Sequence, residues 1–383
     1  MKKSVMVLAM IVITFSSSFS QTLEESIKNL ATNAAKGYVA PLVSSFGSNV
    51  NGGLFHNAPA AEKVGFDFEF GIVGMGTFMR NDNNSTFSVQ ESFKFNKEQA
   101  TDLVSFVEDG IFTTEQKAKL QTSYGAAYVD TIKNQLINAI VGSNFSAKIS
   151  GPTLVGKKND SVNVSFQGSP IKYTVLRVGG QDIEQDSFDV AKLAPIVNLP
   201  VTGILEDIAI LPHLAPQIGI GTILGTRFTF RWLPNIALNS NVGKFSLSGW
   251  GVQHNPAVWF DSPLPIDVAL SYFSQKITLG TLFTSKFTSY GLTASKRLGI
   301  GLANITPYAG FLLERSTMNF SYEYNEATPL GTTVSIPINF ELQGENTSRI
   351  VVGLSAHLVF VTLNVDYNIA KYKSITTGLM FSL

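Results

Sequence analysis

From Gln217 onward, apolar and polar side chains alternate with a period of two. Ile218, Ile220, Thr222, Leu224, Thr226, Phe228, Phe230 and Trp232 alternate with Gln217, Gly219, Gly221, Gly225, Arg227, Thr229 and Arg231. Val361, Leu363, Val365, Tyr367 and Ile369 alternate with Thr362, Asn364, Asp366, Asn368 and Ala370, and Ile350 to Phe360 alternate with a mixed face holding Arg349, Ser355 and His357. Further dyads fall at Ile266 to Tyr272, Ile277 to Phe283 and Val334 to Leu342, between turn residues at Asn235, Asn255, Pro256 and Gly344-Glu345-Asn346. Such segments, about ten residues long, are expected of strands that cross a membrane as a barrel. A soluble β-sandwich produces the same alternation. Aromatic residues near the predicted strand ends favour the membrane: Trp232, Trp259, Phe260, Tyr290, Tyr308, Phe320, Tyr322, Tyr324, Tyr367 and Tyr372 suit an interfacial girdle.

Upstream the period changes. Leu23, Ile27, Leu30 and Ala34 recur at helical spacing, with Glu24 and Glu25 in the first turn, so Thr22 to Lys36 reads as a helix stopped by Gly37. The stretch from Tyr38 to Phe55, rich in Gly, Ser and Asn, reads as an ordered loop or plug, with Phe46, Asn49, Asn51 and Phe55 as candidate plug residues. Gly65 to Phe78 is the first strand, and Thr86 to Phe95 is expected to pair with it across Asn81-Asp82-Asn83-Asn84. Helices follow after Thr113 and over Ala127 to Val141, then short strands around Val162 to Phe166 and Tyr173 to Arg177. The resulting division is 1–20 signal peptide, 21–64 helix and plug, 65–96 first barrel hairpin, 97–216 helical and short-strand insert, and 217–383 main barrel.

The first twenty residues carry Lys2 and Lys3, then an apolar run from Val5 to Phe15, then Ser18-Phe19-Ser20, which predicts export and cleavage before Gln21. Charged residues make up only 15% of the chain against 44% hydrophobic, below the roughly 25% charged of soluble domains. No later apolar run reaches membrane-helix length uninterrupted: Val201 to Leu224 contains Glu206, Asp207, Pro212, His213 and Pro216. Lys plus Arg and Asp plus Glu both total 28, so the chain has no basic footprint for nucleic acid. Without cysteine, disulfides and thiolate metal sites are excluded.

Ile375, Thr377, Leu379, Phe381 and Leu383 share one face of the last predicted strand. The pattern Thr376-x-Gly378-x-x-Phe381-x-Leu383 resembles the signal by which outer-membrane barrels are recognised for insertion, with Leu where many end in Phe. Gly378, Phe381 and Leu383 are its candidate residues. Other landmarks are Tyr38-Val39-Ala40-Pro41-Leu42, Phe46 to Phe55, Gly65-Phe66-Asp67-Phe68, Gly151 to Gly156, Pro216 to Gly221, Arg231-Trp232-Leu233-Pro234 and Gly249 to His254. Together they resemble an uncharacterised bacterial outer-membrane β-barrel family without assigned activity. The layout, a plug-like segment before a barrel, is similar to the long-chain fatty-acid transporter class. The alternation itself, with two strands before Lys97 and about twelve after Gln217, predicts an all-β-dominated fold, a transmembrane antiparallel barrel of about fourteen strands, with a short N-terminal helical plug and an α+β insert.

Nothing in the residues supplies a reaction. His56, His213, His254 and His357 show no metal-ligand spacing, and Ser355 with His357 on one strand is not a triad. Gly219-Ile220-Gly221 with Gly225 lacks the spacing of a dinucleotide fingerprint. The expectation is a non-enzyme without cofactor or metal, whose partners are outer-membrane lipid, the barrel-assembly machinery and a small hydrophobic solute. Arg227, Arg231, Asn364 and Asp366 are candidate lumen-lining residues. The arginines either form a positive stripe on a permeation path or pair with carboxylates such as Asp267 or Glu341. The leading expectation is passive transport through a partly plugged lumen in the cell outer membrane. The alternatives are a structural or partner-binding outer-membrane protein, and a secreted soluble all-β binding protein.

Overall fold

The structure, a computed structural model, describes residues 21–79, 84–106, 114–178, 181–189, 197–239, 243–262, 264–281, 283–300, 303–327 and 333–382. The expected signal peptide, Leu383 and most of the expected turn at Asn81 to Asn84 lie outside the described residues. The chain divides into two compact units, one of residues up to 38 and 86–203, the other of residues 39–85 and from 204 on.

Helix α1 (Gln21–Val50) runs past Gly37, where the sequence predicts a stop, and contains Pro41. Proline removes a helix hydrogen bond and crowds the carbonyl four residues back, here that of Gly37. Burial overrides this local preference: Val43 and Val50 are each 1% exposed, and the Ser45 hydroxyl donates to the Pro41 carbonyl at 2.7 Å. Strand β1 (Asp67–Phe78) follows. Strand β2 (Thr86–Phe93) pairs with β3 (Phe145–Pro152), not with β1. The expected barrel hairpin at 65–96 is therefore incorrect; both edges of β1 are already taken by barrel strands.

Between β2 and β3 lie α2 (Lys97–Phe106), α3 (Thr114–Tyr124) and α4 (Ala126–Gly142). Beyond β3 come β4 (Val162–Gly168), β5 (Ile171–Val178), β6 (Gln181–Phe188) and β7 (Val197–Leu199). Sheet β2-β3-β4-β7 and hairpin β5-β6 complete an α+β unit with a conventional interior. Val129, Ile132, Leu136 and Ile140 form one helical stripe buried with Val104, Phe145 and Ile171.

The second unit is a barrel. Its strands are β1, β8 (Ile210–Ile223), β9 (Thr226–Asn239), β10 (Gly243–His254), β11 (Asp267–Leu279), β12 (Phe283–Ser295), β14 (Ala303–Ala327), β16 (Ser348–Leu358), β17 (Val361–Ile369) and β18 (Ser374–Ser382). Every neighbouring pair is antiparallel, β1 pairs with both β8 and β18, and β12 pairs with β14, so ten strands close the ring. The short β13 (Leu298–Ile300) and β15 (Thr333–Gln343) both pair with β14 and bring the sheet to twelve strands. The expected count of about fourteen is too high. β15 and β16 follow one another along a single edge of β14, separated only at Gly344 to Thr347, so two predicted strands fill one place in the ring. The barrel also begins seven residues before Gln217, because Pro212 and Pro216 lie inside a strand rather than ending the insert.

The wall is inverted relative to a soluble protein. Apolar side chains such as Phe70, Ile72, Phe230, Leu292, Phe311, Val352 and Leu363 are exposed on the outside, while Gln217, Gln253, Gln275, Ser289, Asn364 and Asn368 are buried on the inside. An outer face this apolar and continuous marks a surface made for a non-aqueous environment. Trp232, Trp259, Phe260, Tyr290 and Tyr367 are exposed, but Tyr308 and Tyr372 are 3% and 2% exposed and belong to the interior, not to a girdle.

Candidate functional site: a plugged barrel lumen

Residues 39–66 precede β1 and fill the ring lengthwise. At the end where β8 begins, the Ser48 hydroxyl donates to the Tyr372 carbonyl at 2.6 Å and Asn49 Nδ2 to the Leu211 carbonyl at 2.6 Å. At the end where β18 finishes, the Ala58 amide donates to Ser295 Oγ at 2.9 Å and the Gly225 amide to the Glu62 carbonyl at 2.9 Å. Gly47 lets the helix approach the wall: a Cβ there would lie 2.5 Å from Ser316 Oγ.

Three buried arginines hold this segment. Arg231, 2% exposed, donates to the carbonyls of Val50 (3.1 Å), Gly52 (2.9 Å) and Gly53 (2.6 Å), and through Nε to Gln217 Oε1 at 2.8 Å. These are the carbonyls where α1 ends and the chain turns, the negative end of the helix dipole. Gln275 donates to the same Val50 carbonyl at 2.7 Å. Arg227 bonds Asn57 and Asp67 and lies 3.7 Å from Glu69, whose other oxygen meets His56 Nε2 at 3.1 Å. Arg349 Nη2 donates to the Ser48 carbonyl at 2.5 Å, Nη1 to Asn368 Oδ1 at 3.0 Å, and Nε pairs with Glu314 Oε1 at 2.8 Å. The planar guanidinium suits this work, since one side chain can bind several acceptors in a fixed fork.

Apolar contacts complete the seat. Phe55 lies 6.4 Å from the Phe273 ring and 5.8 Å from that of Tyr308, while Phe46 meets Phe283 at 6.1 Å. Val43 and Val50 join Leu247, Ile277, Phe287 and Met318 in one buried cluster. A cavity of about 90 Å³ remains where β18 finishes, lined by His56, Asn57, Glu69, Arg227, Ser355 and His357 among others. It falls well below the roughly 300–1,000 Å³ of sites for drug-sized ligands.

Arg227, Arg231, Asn364 and Asp366 all face inward. The arginines do not meet Asp267 or Glu341: Arg227 pairs with Asp67 and Glu69, Arg231 caps plug carbonyls, and Asp267 is bonded by Asn255 at 3.2 Å. Asp366 accepts from Tyr308 at 2.9 Å and from Asn368 at 2.6 Å. Phe46, Asn49, Asn51 and Phe55 lie in the lumen segment. Gly378 faces inward against Asn364, Phe381 points outward and stacks on Phe70 at 5.5 Å, and the two signal residues thus sit on opposite faces of β18. Glu69, Glu314 and Gln275 were not picked out by the sequence as functional; their inward places in the alternation were the available signal. His254 contacts Thr226 at 2.9 Å and accepts from Trp259 at 3.4 Å, as a bonded loop-edge residue. Among the described residues no His, Asp or Glu cluster has the geometry of a metal site.

The model of a family of unknown function, DUF6588, matches residues 1–383, and the chain belongs to that family. No curated protein matches. Among solved structures, the loop L8 deletion mutant of OmpT, an outer membrane protein of Vibrio cholerae, is 8% identical with a TM-score of 0.22, over 83% of this chain and 99% of that one. LpxR from Salmonella typhimurium is 10% identical with a TM-score of 0.25, over 81% and 99%. The beta domain of the Bordetella autotransporter BrkA is 8% identical with a TM-score of 0.24, over 83% and 99%. The expected likeness to the fatty-acid transporter class is not supported, since ten strands close this ring.

Proposed function

We propose that this family member is an integral protein of the outer membrane, exported through a cleaved signal peptide, whose barrel admits a small hydrophobic solute passively when its plug yields. The observation that carries the reading is the inverted wall around a separately anchored segment: apolar outside, polar inside, with residues 39–66 held by side-chain bonds rather than by strand pairing. Each hydrogen bond from a charged donor contributes roughly 1.5–3 kcal/mol. The resting lumen is therefore closed, yet the segment leaves without breaking the ring. A soluble binding protein would hold the same apolar wall in water, which the hydrophobic effect opposes.

Because the chain has no cysteine, a Ser48→Cys/Ser374→Cys pair tests the plug cleanly; the native hydroxyls are 3.4 Å apart. After fractionation and a heat-dependent mobility shift establish a folded membrane barrel, uptake into liposomes is measured with the pair oxidised and reduced. Uptake restored by reduction supports plug-controlled passage. Equal absence of uptake in both states favours the second reading, a structural or partner-binding barrel, for which the fully seated plug and the separate α+β unit at 86–203 speak.

A further inference from the structure

The ladder between β8 and β9 stops halfway along the barrel. Paired residues run from Gln217↔Arg231 to Ile220↔Phe228, with Ile223↔Thr226 at the turn, whereas β8 pairs with β1 without a break from Ile210 to Gly221. Continuing the register would set Pro216 opposite Trp232 and Leu214 opposite Pro234. The bond from the Met79 amide to the Ala209 carbonyl, in register with the β1 ladder, fixes which way the backbone points. Odd-numbered residues of β8 turn to β1 and even-numbered residues turn to β9. Pro212 and Pro216 thus withhold their N–H from β9. Pro234 lies at an irregularity where β9 gains a residue over β10 and has no N–H to offer either neighbour.

The missing donors are covalent, so no side-chain movement closes this seam, and the same prolines bar a strand from another chain. Six residues, Ile210 to Ala215, span about 20 Å at ~3.3 Å each. Unpaired backbone at membrane depth persists only where protein or water covers it. Pro212, Leu214 and Trp232 turn three free carbonyls to the seam but only Leu214 a free N–H, since the wide pair Gln217↔Arg231 already takes the Trp232 N–H to the Pro216 carbonyl, so acceptors are in surplus. Behind them, Asn49 is 1% exposed and its Oδ1 has no partner, and the neighbouring His213 Nε2 is likewise buried and unpartnered. The inner wall there is apolar, with Ala215 and Leu233 against Val43 and Phe46, and Leu214 and Trp232 form exposed outer lips.

We propose that this seam is a lateral binding site for a hydroxyl-bearing, single-chain amphiphile drawn from the bilayer, its hydroxyl donating to the seam carbonyls or Asn49 and its chain lying against the apolar cluster. The proposal rests on the membrane-spanning reading but not on transport. The test uses the full chain in phosphatidylcholine vesicles, with Trp232, Trp250 and Trp259 changed to Phe and Leu233→Trp as an inward reporter. The probes are a dibrominated octadecanol and its methyl ether, which keeps the chain and loses the donor. The alcohol should quench the reporter saturably, with at least ~10-fold more ether needed, and Asn49→Leu should weaken the alcohol's effect about threefold or more. Pro212→Val/Pro216→Val/Pro234→Val, which restores the donors, should abolish saturable quenching while keeping the mobility shift; if that variant does not fold, Pro216→Val alone should reduce it. Equal quenching by alcohol and ether, or no response to Asn49→Leu, overturns the proposal. Flotation with vesicles but no quenching overturns the seam site alone. Failure to float overturns the membrane reading and the seam with it.

Discussion

Glu314 and Arg349 meet at 2.8 Å inside the barrel, with side-chain exposures of 1% and 0%. The pair ties β14 to β16 and, through the Arg349 bond to the Ser48 carbonyl, ties both strands to the plug. Removing one member leaves a buried charge without its partner, which costs about 3–5 kcal/mol, whereas replacing both by apolar residues of similar size is close to neutral. Arg349→Met should therefore lower the urea midpoint for loss of the heat-modifiable band far more than Arg349→Met/Glu314→Met does. Equal losses in the single and double variants would show that the pair is not coupled.

Arg231 makes a different prediction because its acceptors are neutral carbonyls. Arg231→Lys keeps the charge and loses the fork that reaches Val50, Gly52 and Gly53 together. Amide hydrogen exchange over residues 50–55 should quicken by about tenfold or more, equivalent to one lost charged hydrogen bond of roughly 1.5–3 kcal/mol, while exchange in β16 to β18 stays unchanged. Unchanged exchange over 50–55 would count against Arg231 as the plug's anchor.

Gly53 has φ +59°, and a Cβ there would lie 2.5 Å from Val73 Cγ1. Gly53→Ala should destabilise the barrel by about 1–3 kcal/mol, measured as a lower urea midpoint. Adding Val73→Ala should recover only part, since the backbone conformation remains unfavourable.

Gly378 and Phe381 separate two demands on the last strand. A Cβ on Gly378 would fall 2.3 Å from Asn364 Oδ1, so Gly378→Ala should impair assembly and Asn364→Ala should rescue it. Phe381→Ala, which removes the stack on Phe70, should not be rescued by that change. Deleting 381–383 should abolish membrane assembly, scored as the yield of heat-modifiable band in the membrane fraction.

The alternation of side chains made the barrel and its inward residues legible, because period two is what a two-sided wall imposes. Arg227, Arg231 and Asp366 could be placed on the inner face for that reason alone. Their plug partners could not, since Val50 and Asn57 lie on a segment that periodicity does not locate relative to the wall, and the strand carrying Asp67 was paired with the wrong neighbour. The helix through Gly37 and Pro41 was illegible because its stability comes from burial rather than from local preference. The strand number failed at Thr86 to Phe95, which pairs outside the barrel, and at Gly344 to Thr347, where turn residues interrupt a strand without reversing it. Pro212 and Pro216 misled for a related cause: proline argues against a central strand only if its neighbour needs the missing donor.

The position of β1 sets the order in which the barrel is made. From β8 to β18 each strand finds its neighbour within a short stretch of chain, and nine of the ten ring members can curl together by local closure. β1 alone has distant partners on both edges, with Phe70 beside Ile218 and Phe381. Distant pairings carry the larger loop-closure cost and come late. Because residues 39–66 lead directly into β1, the strand that shuts the ring carries the plug with it: closing the ring and filling the lumen are one event.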